Sequence, residues 1–196
     1  MNIYKHKTLT LNLINHYKIP NIIAANEAVL MNDVYLVVIH ADRIPPHLLV
    51  SVQGKLFTLN VKGPSVDGEL TNLLRLIKQR SIETIFIKLA VPAVFTLQQL
   101  SNEIKKHTLA YPRVDVGVAT CLNPIKDFCS SIYETETTRV NFVFDLLPKL
   151  YEKEIITFCY HLNLEKKLQQ NSFYISKYTM HDINEGIRQS AFQLSY

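Results

Sequence analysis

Tryptophan is absent from this chain, glycine occurs only 5 times and cysteine 3 times in 196 residues. Each scarcity excludes something. So little glycine leaves no GxGxxG, GxxxxGK[ST] or GxSxG motif, and dinucleotide-binding, P-loop and serine-hydrolase readings lose the feature on which each depends. An odd number of cysteines without a CxxC pair is no disulfide framework. Free thiols fit a reducing compartment, and the expected location is cytoplasmic. No apolar run approaches the roughly 20 residues that span a bilayer. The opening Met1 to Lys7 is followed by polar-interrupted sequence rather than the apolar core of a signal peptide. HExxH and DxDxDG are missing too, so no metal and no cofactor is expected. His161 and Cys159 stand two apart on one strand face, short of the three or four ligands, roughly, that zinc takes.

Charge is also sparse. The 21 Lys and Arg against 17 Asp and Glu give a formal net charge of +4. The densest runs are Lys105-Lys106-His107 and Glu165-Lys166-Lys167. Scattered charge of this kind does not build the basic face that nucleic acid requires, and none is expected as a partner.

What is present reads as one α+β domain over 1–196, a mostly antiparallel sheet packed by helices. Residues 140–196 are expected as a cap or an extension of the same core. Thr8 to Leu13 alternates as a half-buried strand does, and Ile22 to Leu30 suits a short helix. Val34 to Ile39 is apolar and β-branched, a buried strand. His47 to Val52 and Lys55 to Val61 flank Gln53-Gly54, the strongest hairpin signal in the chain. Leu70, Leu73, Leu74 and Ile77 stripe one side of a helix predicted over 65–80, with Ser65 as its cap. Thr84 to Leu89 is another strand. Thr96 and Gln99 form a capping box before a helix, as do Thr179 and Asp182. Arg113 to Ala119 is expected as the strand that leads into a helix ending near Tyr133. Ile155 to Leu162 and Ser172 to Ile175 complete the strands, while Val140 to Leu150 suits either state.

Cys121 falls at the junction before the helix that contains Pro124. A thiol there meets the positive end of the helix dipole, which favours thiolate, and first-turn amides such as that of Leu122 suit an oxyanion. The plainer reading is a small buried hydrophobe. Cys129, eight positions on, is expected in the core. A thiol nucleophile needs an imidazole base oriented by a third polar group. His47 opens the hairpin behind Pro45-Pro46, and Thr58 and Asn60 share a face of the return strand. The remaining histidines offer less: His40 borders Asp42, and His6, His16, His107 and His181 suit the surface.

The order His47-Leu48-Leu49-Val50-Ser51-Val52-Gln53-Gly54-Lys55-Leu56-Phe57-Thr58, then Thr120-Cys121 before a helix, resembles the circularly permuted branch of the NlpC/P60 papain-like superfamily, which includes the lecithin retinol acyltransferase-like proteins. The resemblance implies a papain-like arrangement with Cys121 as nucleophile, His47 as base and Thr58 or Asn60 as orienter. It implies a cysteine hydrolase or acyltransferase working on an amide or ester bond of a small-molecule, peptide or lipid substrate. Thr58 stands where relatives often carry histidine or an amide side chain. The alternative is a binding or scaffold protein that keeps the fold without the chemistry.

Overall fold

The computed structural model describes residues 15–192, so the strand expected over 8–13 lies outside the described residues. The fold is α+β, as expected. A seven-stranded sheet runs in the order β2 (Ile22–Ala24), β8 (Ile156–Leu162), β7 (Thr84–Leu89), β3 (Val34–Ile39), β4 (His47–Val52), β5 (Lys55–Asn60), β6 (Gly63–Glu69). Its pairings are antiparallel except for β2 with β8. A separate antiparallel pair joins β1 (His16–Ile19) to β9 (Phe173–Ser176).

β3 lies at the centre because its residues are apolar on both faces, and all six are buried. One face meets the short helix α1 (Glu27–Leu30) and α2 (Leu70–Arg80), whose Leu70, Leu74 and Ile77 pack on Tyr35, Val37, Leu49 and Phe86. The other carries α3 (Leu97–Leu109), α4 (Asn123–Tyr133) and α5 (Val143–Glu152) over Leu36, Val38, Val50 and Ile87. The last helix, α6 (Met180–Phe192), follows β9. Residues 140–192 are integral to this architecture: α5 contributes four core side chains, and β8 sits between β2 and β7.

Three expectations are corrected. The segment 22–30 divides into β2 and α1, because Asn26 caps a fresh helix by accepting from the Ala28 N–H. Residues 63–69 form β6 rather than the start of a helix. Ser65 pairs opposite Thr58, and α2 begins at Leu70 with Glu69 as a cap that makes no side-chain bond. Pro64 suits this strand because β6 is an edge. Residues 113–119 form no strand. The Asp115 carboxylate accepts from the Val116 N–H, Gly117 takes φ +72°, and the chain folds back so that Asp115 bridges Ala119.

Candidate functional site

The β4–β5 hairpin turns through Gln53 and Gly54, both at positive φ (47° and 73°), the geometry that matches strand twist in a two-residue turn. From this turn the ladder runs through Val52–Lys55 and Ser51–Leu56 to Val50–Phe57 and stops there, although β4 stays paired with β3 as far as His47. Side chains take over at the open end. The Thr58 hydroxyl donates to the Leu48 carbonyl at 3.3 Å, and the Leu48 N–H faces the Cys121 thiol. Backbone groups left over from a ladder must find partners; here the Thr58 hydroxyl supplies one for the Leu48 carbonyl, and the Leu48 N–H is turned toward the Cys121 sulfur.

Thr58 also meets His47: Oγ1 lies 2.9 Å from Nε2. A hydroxyl that donates to Leu48 is free to accept the Nε2–H, which leaves Nδ1 as the basic nitrogen. Of the two expected orienters, Thr58 reaches His47. Asn60 does not pair with it; its side-chain oxygen accepts the Lys62 N–H at 2.8 Å, although the residue still lines the cleft.

Cys121 is held from the other side of that cleft by a network that starts at Thr120. The Thr120 hydroxyl accepts the Leu122 N–H at 3.2 Å and donates to Asn123 Oδ1 at 3.0 Å, which also accepts the Thr120 N–H at 2.9 Å. The Asn123 side chain in turn lies toward the Tyr111 phenol, and that phenol donates to Asp127 at 2.6 Å. The turn carrying Cys121 is therefore fixed by Thr120, Asn123, Tyr111 and Asp127. Sequence reasoning missed these roles, although Thr120 and Asn123 at a three-residue spacing have the form of a capping pair. The Leu122 amide, the expected oxyanion donor, is engaged by the Thr120 hydroxyl in the same network. The amides that face the sulfur are those of Leu48 and Cys121 itself.

His47 and Cys121 share a cleft of about 360 Å³ with Pro45, Tyr178 and Ile187. The Ile44–Pro45 peptide is cis. α6 forms one wall. Its Gly186 lies so close to Pro45 that a Cβ there would come within 3.2 Å of the proline Cδ.

The electrostatics depart from expectation. Burial pushes the Cys121 thiol above its ordinary value, and the two amides only partly oppose it. Burial, assisted by nearby His40, lowers His47 to about 4. The resting pair is thus neutral thiol and neutral imidazole. Desolvation outweighs the helix terminus here, although Cys121 is half-buried rather than sealed and still lines the cleft.

The other candidates are dispersed. Cys129 is buried in the core, as expected. Cys159 is buried and lies 3.4 Å from the Tyr151 hydroxyl, and His161 on the same strand is 3% exposed. His107 is only partly exposed, beside Glu103, rather than on the open surface. Among the described residues no group of three His, Cys, Asp or Glu is placed to hold a metal, and no helix is long and apolar enough to cross a membrane. Neither a family model, nor a curated protein, nor a solved structure matches the chain.

Proposed function

We propose that the cleft carries out thiol-dependent acyl transfer or hydrolysis at an ester or amide carbonyl, in the manner of the permuted papain-like enzymes that the residue order resembles. One observation carries the reading. His47 is oriented through Nε2 by Thr58 at 2.9 Å, in a cleft it shares with a cysteine whose sulfur faces a ladder amide.

His47 Nδ1 takes the Cys121 proton as the sulfur attacks the carbonyl carbon, and the carbonyl π electrons move to oxygen. Collapse of that adduct breaks the bond to the leaving alcohol or amine, which receives the proton back from the imidazolium. Water or a second acceptor then attacks the thioester, giving its proton to His47, and His47 passes it to the Cys121 sulfur as the C–S bond breaks. The neutral resting pair makes proton transfer part of the attack, a general-base route rather than a preformed thiolate.

The test is mass spectrometry of the protein after reaction with 4-nitrophenyl acetate. An acetyl group on Cys121, absent in Cys121→Ala and formed more slowly in His47→Ala, is the expected result. Nitrophenol release without a Cys121 adduct sinks the proposal.

A second reading, a binding protein without turnover, draws on the thiol held in its protonated form. It predicts that Cys121 resists both acetylation and alkylation until the protein unfolds.

A further inference from the structure

The acyl-transfer reading leaves one group without a source: the donor that would stabilise the oxyanion. The Leu122 amide is bonded to Thr120, and the amides of Leu48 and Cys121 face the sulfur. A donor aimed at the developing charge commonly contributes about 10²–10³ in rate.

Tyr178 stands in the position to supply it. It follows β9, lines the cleft beside Cys121, and is only 7% exposed. Its ring is clamped edge-on by Phe142 and Phe144, with centroids 5.5 Å and 5.1 Å away. The Val143 N–H faces the phenol oxygen. Among the described residues no acceptor takes the phenol proton. Cys121 lies close enough that its ionised form would raise the phenol further. Burial raises the phenol well above its ordinary range, so it remains a neutral O–H donor at every pH at which the enzyme would work.

We infer that Tyr178 is a catalytic residue of this cleft, its O–H donating to the oxyanion formed when Cys121 attacks a carbonyl. The inference rests on the acyl-transfer reading. A polarised phenol held rigidly by two rings needs no reorganisation as charge develops, which is the condition for effective electrostatic stabilisation.

The test separates two reactions of one thiol. Iodoacetamide alkylates Cys121 by displacement at carbon, with no oxyanion. 4-Nitrophenyl acetate acylates it through one. Tyr178→Phe keeps the ring between Phe142 and Phe144 and removes only the hydroxyl. The expected result is acylation of Cys121 slowed about 10²–10³-fold with the alkylation rate unchanged. Equal acylation in Tyr178→Phe and the parent protein overturns the role. Parallel slowing of both reactions also overturns it, because a group that only shapes the site would act on both. If the parent protein shows no acyl-Cys121, the acyl-transfer reading falls and the Tyr178 role falls with it.

Discussion

The centre of the sheet and the open end of its hairpin solve the same problem differently. At β3 every backbone group faces a neighbouring strand, both faces are covered by helices, and all six side chains are buried. At the His47 end the β4–β5 ladder has stopped, and the Leu48 carbonyl accepts from the Thr58 hydroxyl instead, with its N–H turned toward Cys121. At this end a polar side chain replaces a partner that the backbone has lost. The interruption brings a histidine and a threonine together in a cleft that a cysteine also lines.

The contrast can be broken from either side. At the centre, Phe86→Ala removes a fully buried ring and should cost about 3–5 kcal/mol in urea unfolding, with whatever folded protein remains keeping the reactivity of Cys121. At the open end the largest effect should come from pH. The folded pKa of His47, about 4, lies below the ordinary value of 6.5. The unfolded chain therefore takes up the proton first as pH falls. The contribution of His47 is complete above about pH 6.5 and is lost progressively down to about pH 4, a slope worth about 3 kcal/mol at one pKa unit per 1.36 kcal/mol. His47→Gln should flatten that limb of the stability curve. His40, His107 and His161 are lowered too, so a residual slope remains. No change in the limb would mean that His47 is not the buried neutral imidazole described.

Thr58→Val keeps the shape and removes both bonds of the hydroxyl. Leaving Nε2 and the Leu48 carbonyl unpaired should cost about 1–3 kcal/mol, together with a disproportionate loss of acylation rate. A loss of stability alone would reduce Thr58 to a ladder substitute. The smallest effect belongs to the surface. Lys167 bridges Asp42 and Glu83 at 2.8 Å each, yet is 42% exposed. Lys167→Ala should change the unfolding midpoint by the equivalent of under about 1 kcal/mol, less in high salt.

How far the sequence revealed this division differs between the two regions. The strands at 34–39, 47–52 and 84–89 lie where apolar, β-branched runs place them, because burial on both faces leaves a continuous signal. Both capping boxes are present, at Thr96–Gln99 and Thr179–Asp182. β6 escaped notice because an edge strand buries little: of residues 64–69 none is fully buried, and Pro64 reads as a break. Arg113 to Ala119 misled in the opposite sense, since its alternation is real but Asp115 and Gly117 turn the chain. Within the site, the nearness of Thr58 to His47 follows from the period of a hairpin. The protonated thiol does not. It depends on burial beside Tyr178 and α6, far along the chain from Cys121, and enclosure by distant elements leaves no local pattern.

A glycine inside a helix ordinarily weakens it by about 1 kcal/mol relative to alanine. At Gly186 the missing methyl does something else. It lets α6 rest directly on the Pro45 ring, 2 residues before the histidine, where a Cβ would stand 3.2 Å from Cδ and 3.4 Å from Cγ. The aperture of the cleft is thus a length written into the chain at one position, with a hydrogen atom as its unit. A methyl at 186 is a spacer: it would firm the helix while moving it off the corner that carries His47, so rigidity of the wall and width of the mouth are set by the same atom.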